Sequence, residues 1–533
     1  MKTRHLQKLA AITVMVLLVT VVSCKKNLSP GGELTTANVY TNFANYLPVL
    51  AKSYDAFAIS GQTGGGGKPD IQGIDEGFGN YLREFFNMEE LTTDEVTIQW
   101  NDHTIHNLHD MNWTSSDIFI GAIFDRIYYE ISLDNEFLRN TTPALLAKNG
   151  ITGNEAALVT QYRAEARFLR ALSYTHAIDL FGPVPVITES DPVSVFFPAQ
   201  KSRTDVFNFI ESELKAIDGD LGAPRFSYGH ADKAAEWSLL AKLYLNAKVY
   251  TGTDRYTDCI TYANKVIAAG YSLEPHFKNM FTADNNLSNE MIFPIESDGL
   301  HIQGYGGMTY LVHAEIGGNM DATKFGVAAG SGWAGFRTTP QHVALFADPS
   351  GNTDKRAQFF TDGQTLQIAD ETIFNDGYAI TKFTNLTSTG VAGSDPTGTF
   401  VDTDYPIFRL ADIYLTYAEA VLRGGTGGDA ATALKYVNLV RTRAYDGDTS
   451  GDITTGQLTL PFLMDERGRE LFMEGQRRTD LIRFGKFTDA SYLWAWKGDV
   501  LGGTGVSSNL NLMPIPSTQI VLNPTLKQNP GYY

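Results

Sequence analysis

The chain has 533 residues, 42 Lys and Arg against 60 Asp and Glu, and a formal net charge of −18 at neutral pH. That balance excludes a nucleic-acid binder, which needs clustered cations to hold phosphate. With 43% hydrophobic and 19% charged residues the chain is globular, and its two cysteines, Cys24 and Cys259, leave no room for a disulfide framework.

Lys2, Arg4 and Lys8 open the chain, and Leu9 to Val22 follows without a charge. A membrane-spanning helix needs about 20 apolar residues, so this run has the dimensions of a signal-peptide core instead. Ser23 directly before Cys24 fits a lipobox, in which cleavage leaves a diacylated Cys24 at the new N-terminus. Two or more acyl chains hold a protein on a membrane without spanning it. Residues 1–23 are therefore expected to be a lipoprotein signal peptide, and 24–37 a polar tether.

Further along, "QYRAEARFLRALSYTHAIDLFG" (161–182) carries apolar residues three and four apart, and Gly182-Pro183 stops it. Residues 234–271 read as a helical hairpin, its first helix running to Tyr250 and its second to Ala269. Residues 409–444 repeat that layout over a similar length. Small residues at close-packing positions with large aromatics opposite suggest tetratricopeptide-type helix pairs. Cys259 in the second helix reads as a buried small apolar residue. The segments 59–116 and 272–402 differ: they are rich in Gly, Asn, Thr and aromatics and have little helical period. Long irregular segments in a compact domain are usually functional. The expected class is thus mainly α, a helical scaffold with a large loop-rich lobe containing short strands.

Several constellations invite chemistry and fail on geometry. In "WNDHTIHNLHD" the histidines fall at 103, 106 and 109. On a helix that spacing fans them over roughly 120°, and on a strand alternate members face opposite ways. Zincin pairs need i,i+4 spacing with a glutamate between, which is absent. "SGQTGGGGKPD" (60–70) lacks the first glycine of a phosphate loop, since position 62 is Gln, and Pro69 follows Lys68. It reads as a flexible turn. "DGDTSGDITTGQ" (446–457) places Asp446, Asp448 and Asp452 like an EF-hand loop, but Gln457 stands where the bidentate glutamate belongs. These three aspartates are weak calcium candidates, and no other metal or cofactor is indicated. Carboxylates crowd 87–95 and 463–475, the latter interleaved with Arg467 and Arg469 and followed by Arg477 and Arg478, as in an ion-pair network. No nucleophile elbow or Cys-His arrangement appears, so nothing supports an enzyme.

The aromatic residues of the lobe remain. Trp100, Trp113, Tyr305, Tyr310, Trp333 and Phe336 stand in polar, Gly-rich surroundings. Sugars offer flat C–H faces to such rings, with hydroxyls left for polar residues at the edges. Each ring taken alone is as readily a plug in the core beneath a loop.

The stretches "RAEARFLRALSY" with "LFGPVPV", "YPIFRLADIYLTYAEAVLRGG", "ERGRELFMEGQRRTDLIRFGKF" and "LMPIPSTQIVLNPTLKQNPGY", in this order behind a lipobox, resemble the SusD/RagB-like outer-membrane lipoproteins of Bacteroidota. The resemblance implies about four tetratricopeptide-type helix pairs in a single unit at 38–533. The scaffold lies mainly in 38–58, 117–271 and 403–480, the binding lobe in 59–116 and 272–402, and a tail in 481–533. It implies a lipid-anchored cell-surface protein that captures glycan without catalysis and serves a TonB-dependent SusC-like transporter. "GYGGMTYLVHAE…SGWAGFR" and the 70–103 stretch look like the starch-binding branch. That likeness makes Trp100 and Trp333 the main platforms, with Tyr305 or Tyr310 as the third. Asp75, Arg83 and Asn101 become edge residues, with the amide role open between Asn101 and His103. The cargo expected is a glucan; the same scaffold carrying another glycan or a peptide is the alternative.

Overall fold

Residues 36–61 and 64–533 are described by the computed structural model; the expected signal peptide, Cys24 and nearly all of the tether lie outside them. Helices form the frame: α1 (Tyr46–Ala58), α2 (Tyr81–Phe86), α3 (Ile118–Asn140), α4 (Gly153–Leu180), α5 (Arg203–Ile217), α6 (Lys233–Leu245), α7 (Tyr256–Ile267), α8 (Gly307–Glu315), α9 (Leu410–Leu422), α10 (Ala430–Ala444), α11 (Leu460–Glu470) and α12 (Arg477–Arg483). Among them α3 packs on α4, α4 on α5, α6 on α7, α7 on α9, and α9 on α10, the successive layers of a helix-pair stack.

Local sequence sets these boundaries. The Asp117 side chain accepts from the Phe119 and Ile120 amides and starts α3, and Asp232 does the same for α6 through Ala234 and Ala235. Gly182, at φ +71, lies just past the end of α4, where the Gly-Pro stop was expected. The first helix of the hairpin stops at Leu245 rather than Tyr250. Asn246 donates from its amide to the Lys242 carbonyl and accepts from Arg483, which diverts the backbone into a separate short helix over Ala247–Thr251. Ala234, Ala241, Ala263, Ala418 and Cys259 are all buried and let neighbouring axes approach.

Both carboxylate-rich stretches turn inward and meet. After α2 the helix widens to a π-turn over Asn87–Leu91, which presents Glu89 to Arg478 at 3.5 Å. Asp94 receives a two-pronged contact from Arg477 at 2.7 and 2.8 Å. Deeper still, Arg409 bonds Glu290, Glu470 and Glu474 at 2.6–2.8 Å, and Arg356 bonds Asp354 and Glu466 at 2.7–2.8 Å. The expected ion-pair network is interior, and it joins the loop lobe to the scaffold.

The lobe contains β1 (Thr97–Ile98), β2 (Met291–Ile295), β3 (Phe336–Thr338), β4 (Phe359–Phe360), β5 (Tyr378–Ile380) and β6 (Tyr405–Arg409). Four of these make one antiparallel sheet in the order β1-β3-β5-β4, with Ile98 opposite Phe336 and Thr97 opposite Arg337. β2 pairs with β6 apart from it. The segment after α12 is well tied to the body: the Met513 amide donates to the Leu180 carbonyl, and the Asn529 amide reaches the Phe181 and Met513 carbonyls. Among the described residues no helix is long and apolar enough to cross a membrane.

Candidate functional site

Pairing of β1 with β3 places Trp100 beside Trp333. The register continues past Ile98, where the Gln99 amide donates to the Gly335 carbonyl at 2.9 Å. Trp333 to Gly335 run along the end of α8, their amides donating to the His313, Ile316 and Ala314 carbonyls, each at 2.8 Å. The Trp100 indole N–H donates to the Trp333 main-chain oxygen at 2.8 Å. A side chain at position 335 would lie 3.0 Å from the Trp100 ring, so glycine there lets the indole lie flat across the strand.

Three partly exposed rings form an arc. Trp100 and Trp333 have centroids 6.3 Å apart with planes turned by 47°, and Trp333 and Tyr305 repeat this at 6.4 Å and 47°. Tyr305 is 39% exposed, and its hydroxyl bonds no described residue. Tyr310 is fully buried: it sits 5.7 Å from Trp100, and its hydroxyl donates to Asn87 at 2.8 Å. Of the two tyrosines left open by the sequence, the outer one is Tyr305, and Tyr310 is corrected to a supporting ring. The reason is position in the chain: Tyr305 precedes α8, whereas Tyr310 lies within it and every residue of that helix is buried.

Polar groups border the arc. Asn80 ties the two chain segments together, accepting from the Arg83 and Gly307 amides at 3.1 Å and donating to the Ala58 carbonyl at 2.8 Å. Arg83 is mostly buried, its guanidinium 4.2 Å from the Tyr310 ring and 5.8 Å from Trp100; its Nε lies 3.8 Å from the Glu84 carboxylate and makes no hydrogen bond among the described residues. Next to it burial pushes the Glu84 carboxyl up to about 8. Asp75 is exposed on a turn, with one oxygen accepting the Gly77 and Phe78 amides at 2.8 and 3.1 Å. Asn101 and His103 are both exposed; His103 stands at φ +51 with its ring edge-on to Phe78, 5.7 Å away.

The other two histidines of that stretch go elsewhere. His109 is buried between the Leu91 and Ala495 carbonyls at 3.1 and 2.9 Å, and burial takes its imidazole down to about 4. His106 is half-buried and lowered by the same cause. Nor do the calcium candidates converge: Asp446 lies near His276 and Lys355, Asp448 caps the turn at Ser450, and Asp452 accepts from Thr442. No group of three or more His, Cys, Asp or Glu side chains placed for a metal occurs among the described residues.

Besides Tyr310, two more of the six singled-out aromatics are core plugs. Trp113 is buried with its N–H on the Tyr532 hydroxyl at 2.8 Å, and Phe336 is buried in β3. Two rings were missed. His313 stacks under Trp333 at 4.8 Å and 25°, its ring nitrogens 2.8 Å from the Ser331 and Thr399 carbonyls. Phe400 lies 5.4 Å from Tyr305. For His313 the available signal was its place one helical turn beyond Tyr310 on α8.

Comparison with known proteins places this architecture. A sequence profile described as the SusD family matches residues 349–532. The starch-binding protein SusD of Bacteroides thetaiotaomicron is 35% identical over the full length of both chains. SusD-like protein P2 of Formosa agariphila is 25% identical, over 79% of this chain and 83% of its own. Among solved structures, a SusD homolog from Bacteroides thetaiotaomicron superposes with a TM-score of 0.72 at 19% identity, covering 93% of this chain and 98% of the other. Surface glycan-binding protein A of the same organism, in complex with laminarihexaose, gives 0.68 at 20% identity, over 91% and 99%. By full-length likeness and by fold, this chain belongs to the SusD family, a family of binding proteins rather than enzymes.

Proposed function

We propose that the chain is a cell-surface glycan-binding lipoprotein that captures a glucan, such as starch, and hands it to a TonB-dependent SusC-like transporter in the outer membrane. The observation that carries this reading is the arc itself: three partly exposed rings at nearly equal spacing, neighbouring planes 47° apart. A straight glycan ribbon presents one plane and can lie flat on one such ring at a time. A helical or bent glucan turns as it advances and can meet all three. Asp75, Arg83, Asn101 and His103 stand at the margin, where sugar hydroxyls would take hydrogen bonds. Full-length likeness to a protein named for starch binding supports the same cargo. Acylation at Cys24 would mount the site on the membrane beside its transporter.

Stacking on a wet surface is worth about 1 kcal/mol per ring, so one arc binds weakly, and repeated sugar units supply the rest by avidity. Isothermal titration against linear and cyclic α-glucans, β-glucans and peptides tests the reading. Binding is expected for the bent glucans. Binding of peptides alone would replace the glucan with the alternative cargo, and release of reducing ends would overturn the non-catalytic assignment. Co-purification with the co-expressed transporter tests delivery.

A further inference from the structure

We propose that Phe400 and Gly65 together fix the tilt of Tyr305, and thereby the curvature of glycan that the arc accepts. The proposal rests on the glycan reading above and concerns Phe400, which no sequence motif singles out, and Gly65, which lies in the flexible turn at 60–70.

Each ring of the arc has a mount, and the mounts differ. Trp100 is bonded to a main-chain oxygen and backed by buried Tyr310, and Trp333 lies on the stacked His313 ring. Tyr305 has neither device. It sits on a short irregular segment before α8, and its hydroxyl is unbonded among the described residues. Besides Trp333, what borders its ring is Phe400, at 5.4 Å and 43°, and the glycine-rich turn that also touches Phe400. A Cβ on Gly65 would stand 2.5 Å from Phe400 Cζ and 3.2 Å from Tyr305 Cε2; one on Gly66 would stand 3.7 Å from Tyr305 Cε2. The backbone at Gly65 therefore lies directly against both rings, and any side chain there must displace one of them.

Both neighbours are themselves held. The Asp395 carboxylate accepts from the Thr397, Thr399 and Phe400 amides at 2.9–3.1 Å, which fixes the backbone that carries the Phe400 ring. On the other side the Gly66 amide donates to the Glu76 carboxylate at 2.9 Å. The legs of that turn close through the Asp70 amide on the Ser60 carbonyl at 2.8 Å, and the Lys52–Asp70 ion pair at 2.8 Å secures its base. Tyr305 is thus a ring without a hydrogen bond of its own among the described residues, set against a corner that Phe400 and the Gly65 backbone form together. Phe400 is a positioning residue, and Gly65 sets how closely the turn can approach both rings. A platform held at one angle favours a ligand whose curvature is already right, because neither partner then loses freedom on binding.

The test is a double-mutant cycle on Gly65→Ala and Phe400→Ala, read by titration with a cyclic α-1,4-glucan and a linear cello-oligosaccharide, with Tm recorded throughout. Each single variant is expected to lose about three- to tenfold in affinity for the cyclic glucan, and with it the preference over the straight one. The double variant should lose less than the product of the two, because removing the Phe400 ring vacates the space that the Gly65→Ala methyl needs. Phe400→Leu keeps the apolar volume without the ring and replaces Phe400→Ala should the latter lower Tm; it is expected to lose affinity at an unchanged Tm. Wild-type affinity in both singles, or losses that simply multiply, overturns the proposal. If wild-type protein binds neither glucan, and Trp100→Ala and Trp333→Ala change nothing, the glycan reading itself fails and this inference falls with it.

Discussion

Trp333→Ala separates a binding platform from a core plug, because the two roles predict opposite signatures. Trp333 is only partly buried, and what it supplies to the fold is chiefly its main chain: its amide donates to His313 and its carbonyl receives the Trp100 indole. The substitution keeps both of those bonds, so Trp100 should keep its orientation. What is lost is one stacking face, worth about 1 kcal/mol, or about fivefold in Kd. Trp100→Ala should cost a similar factor, and the double variant about thirtyfold if the two faces act independently. For a weak site, fivefold is enough to take a polysaccharide out of measurable retention in affinity electrophoresis. Thermal unfolding supplies the second reading: Tm should stay within about 2 °C of wild type, since a chain this long shifts little per kcal/mol. Undiminished retention in both variants would refute the platform role. A large fall in Tm, as for a buried Trp whose truncation costs about 3–5 kcal/mol, would show the ring to be a plug.

Tyr305→Ala should weaken glucan binding with Tm unchanged, whereas Tyr310→Ala should destabilise by about 3–5 kcal/mol, because it empties a buried site and strands the Asn87 oxygen and the Arg83 guanidinium; melting and titration of the pair distinguish them. Arg409→Met should lower denaturant stability by about 3–5 kcal/mol, since Glu290, Glu470 and Glu474 would each lose a buried cation at once; a change under about 1 kcal/mol would show that Arg443, Arg356 and Lys382, which also pair with them, suffice. Glu84 and Glu236 should each contribute a loss of stability as pH rises from about 4.5 to 9. Burial raises Glu84 to about 8 and Glu236 to about 9, so across that window the folded protein keeps protons that the unfolded chain has already released. Glu236→Gln should flatten the alkaline side of a Tm-against-pH curve; an unaltered slope would exclude Glu236 as a contributor.

Helices were legible wherever one face was apolar and a breaker stood at the end, as in α4 with its Gly-Pro stop. The Asn246 break was not, because the side-chain bond that diverts the backbone depends on Arg483, a residue 237 positions away. Within the site, Trp100, Trp333 and the 305–310 stretch were visible through a likeness of motif. Physical reading alone could not sort the rings: Trp113 stands in surroundings as polar, and Phe336 in surroundings as rich in Gly, as those of Trp333. What separates them is whether a distant segment covers the ring, as Tyr532 covers Trp113. The turn at 60–70 was recognised as a turn, but its contact with Tyr305 and Phe400 spans more than 200 residues and leaves no periodic trace. Carboxylates at 87–95 and arginines at 467–478 were each noticed; that they answer one another is a tertiary fact.

That answer has a consequence for the order in which the molecule can assemble. The Asp94–Arg477 pair closes a loop of 383 residues, and the segment it clamps runs directly into Trp100. Contacts so distant along the chain form late, after the entropy of closing the intervening loop has been met by nearer ones. The glycan-facing surface should therefore be the last region to become protected against hydrogen exchange during refolding, well after the helix pairs have formed. A chain caught partway would be helical, compact and unable to hold sugar.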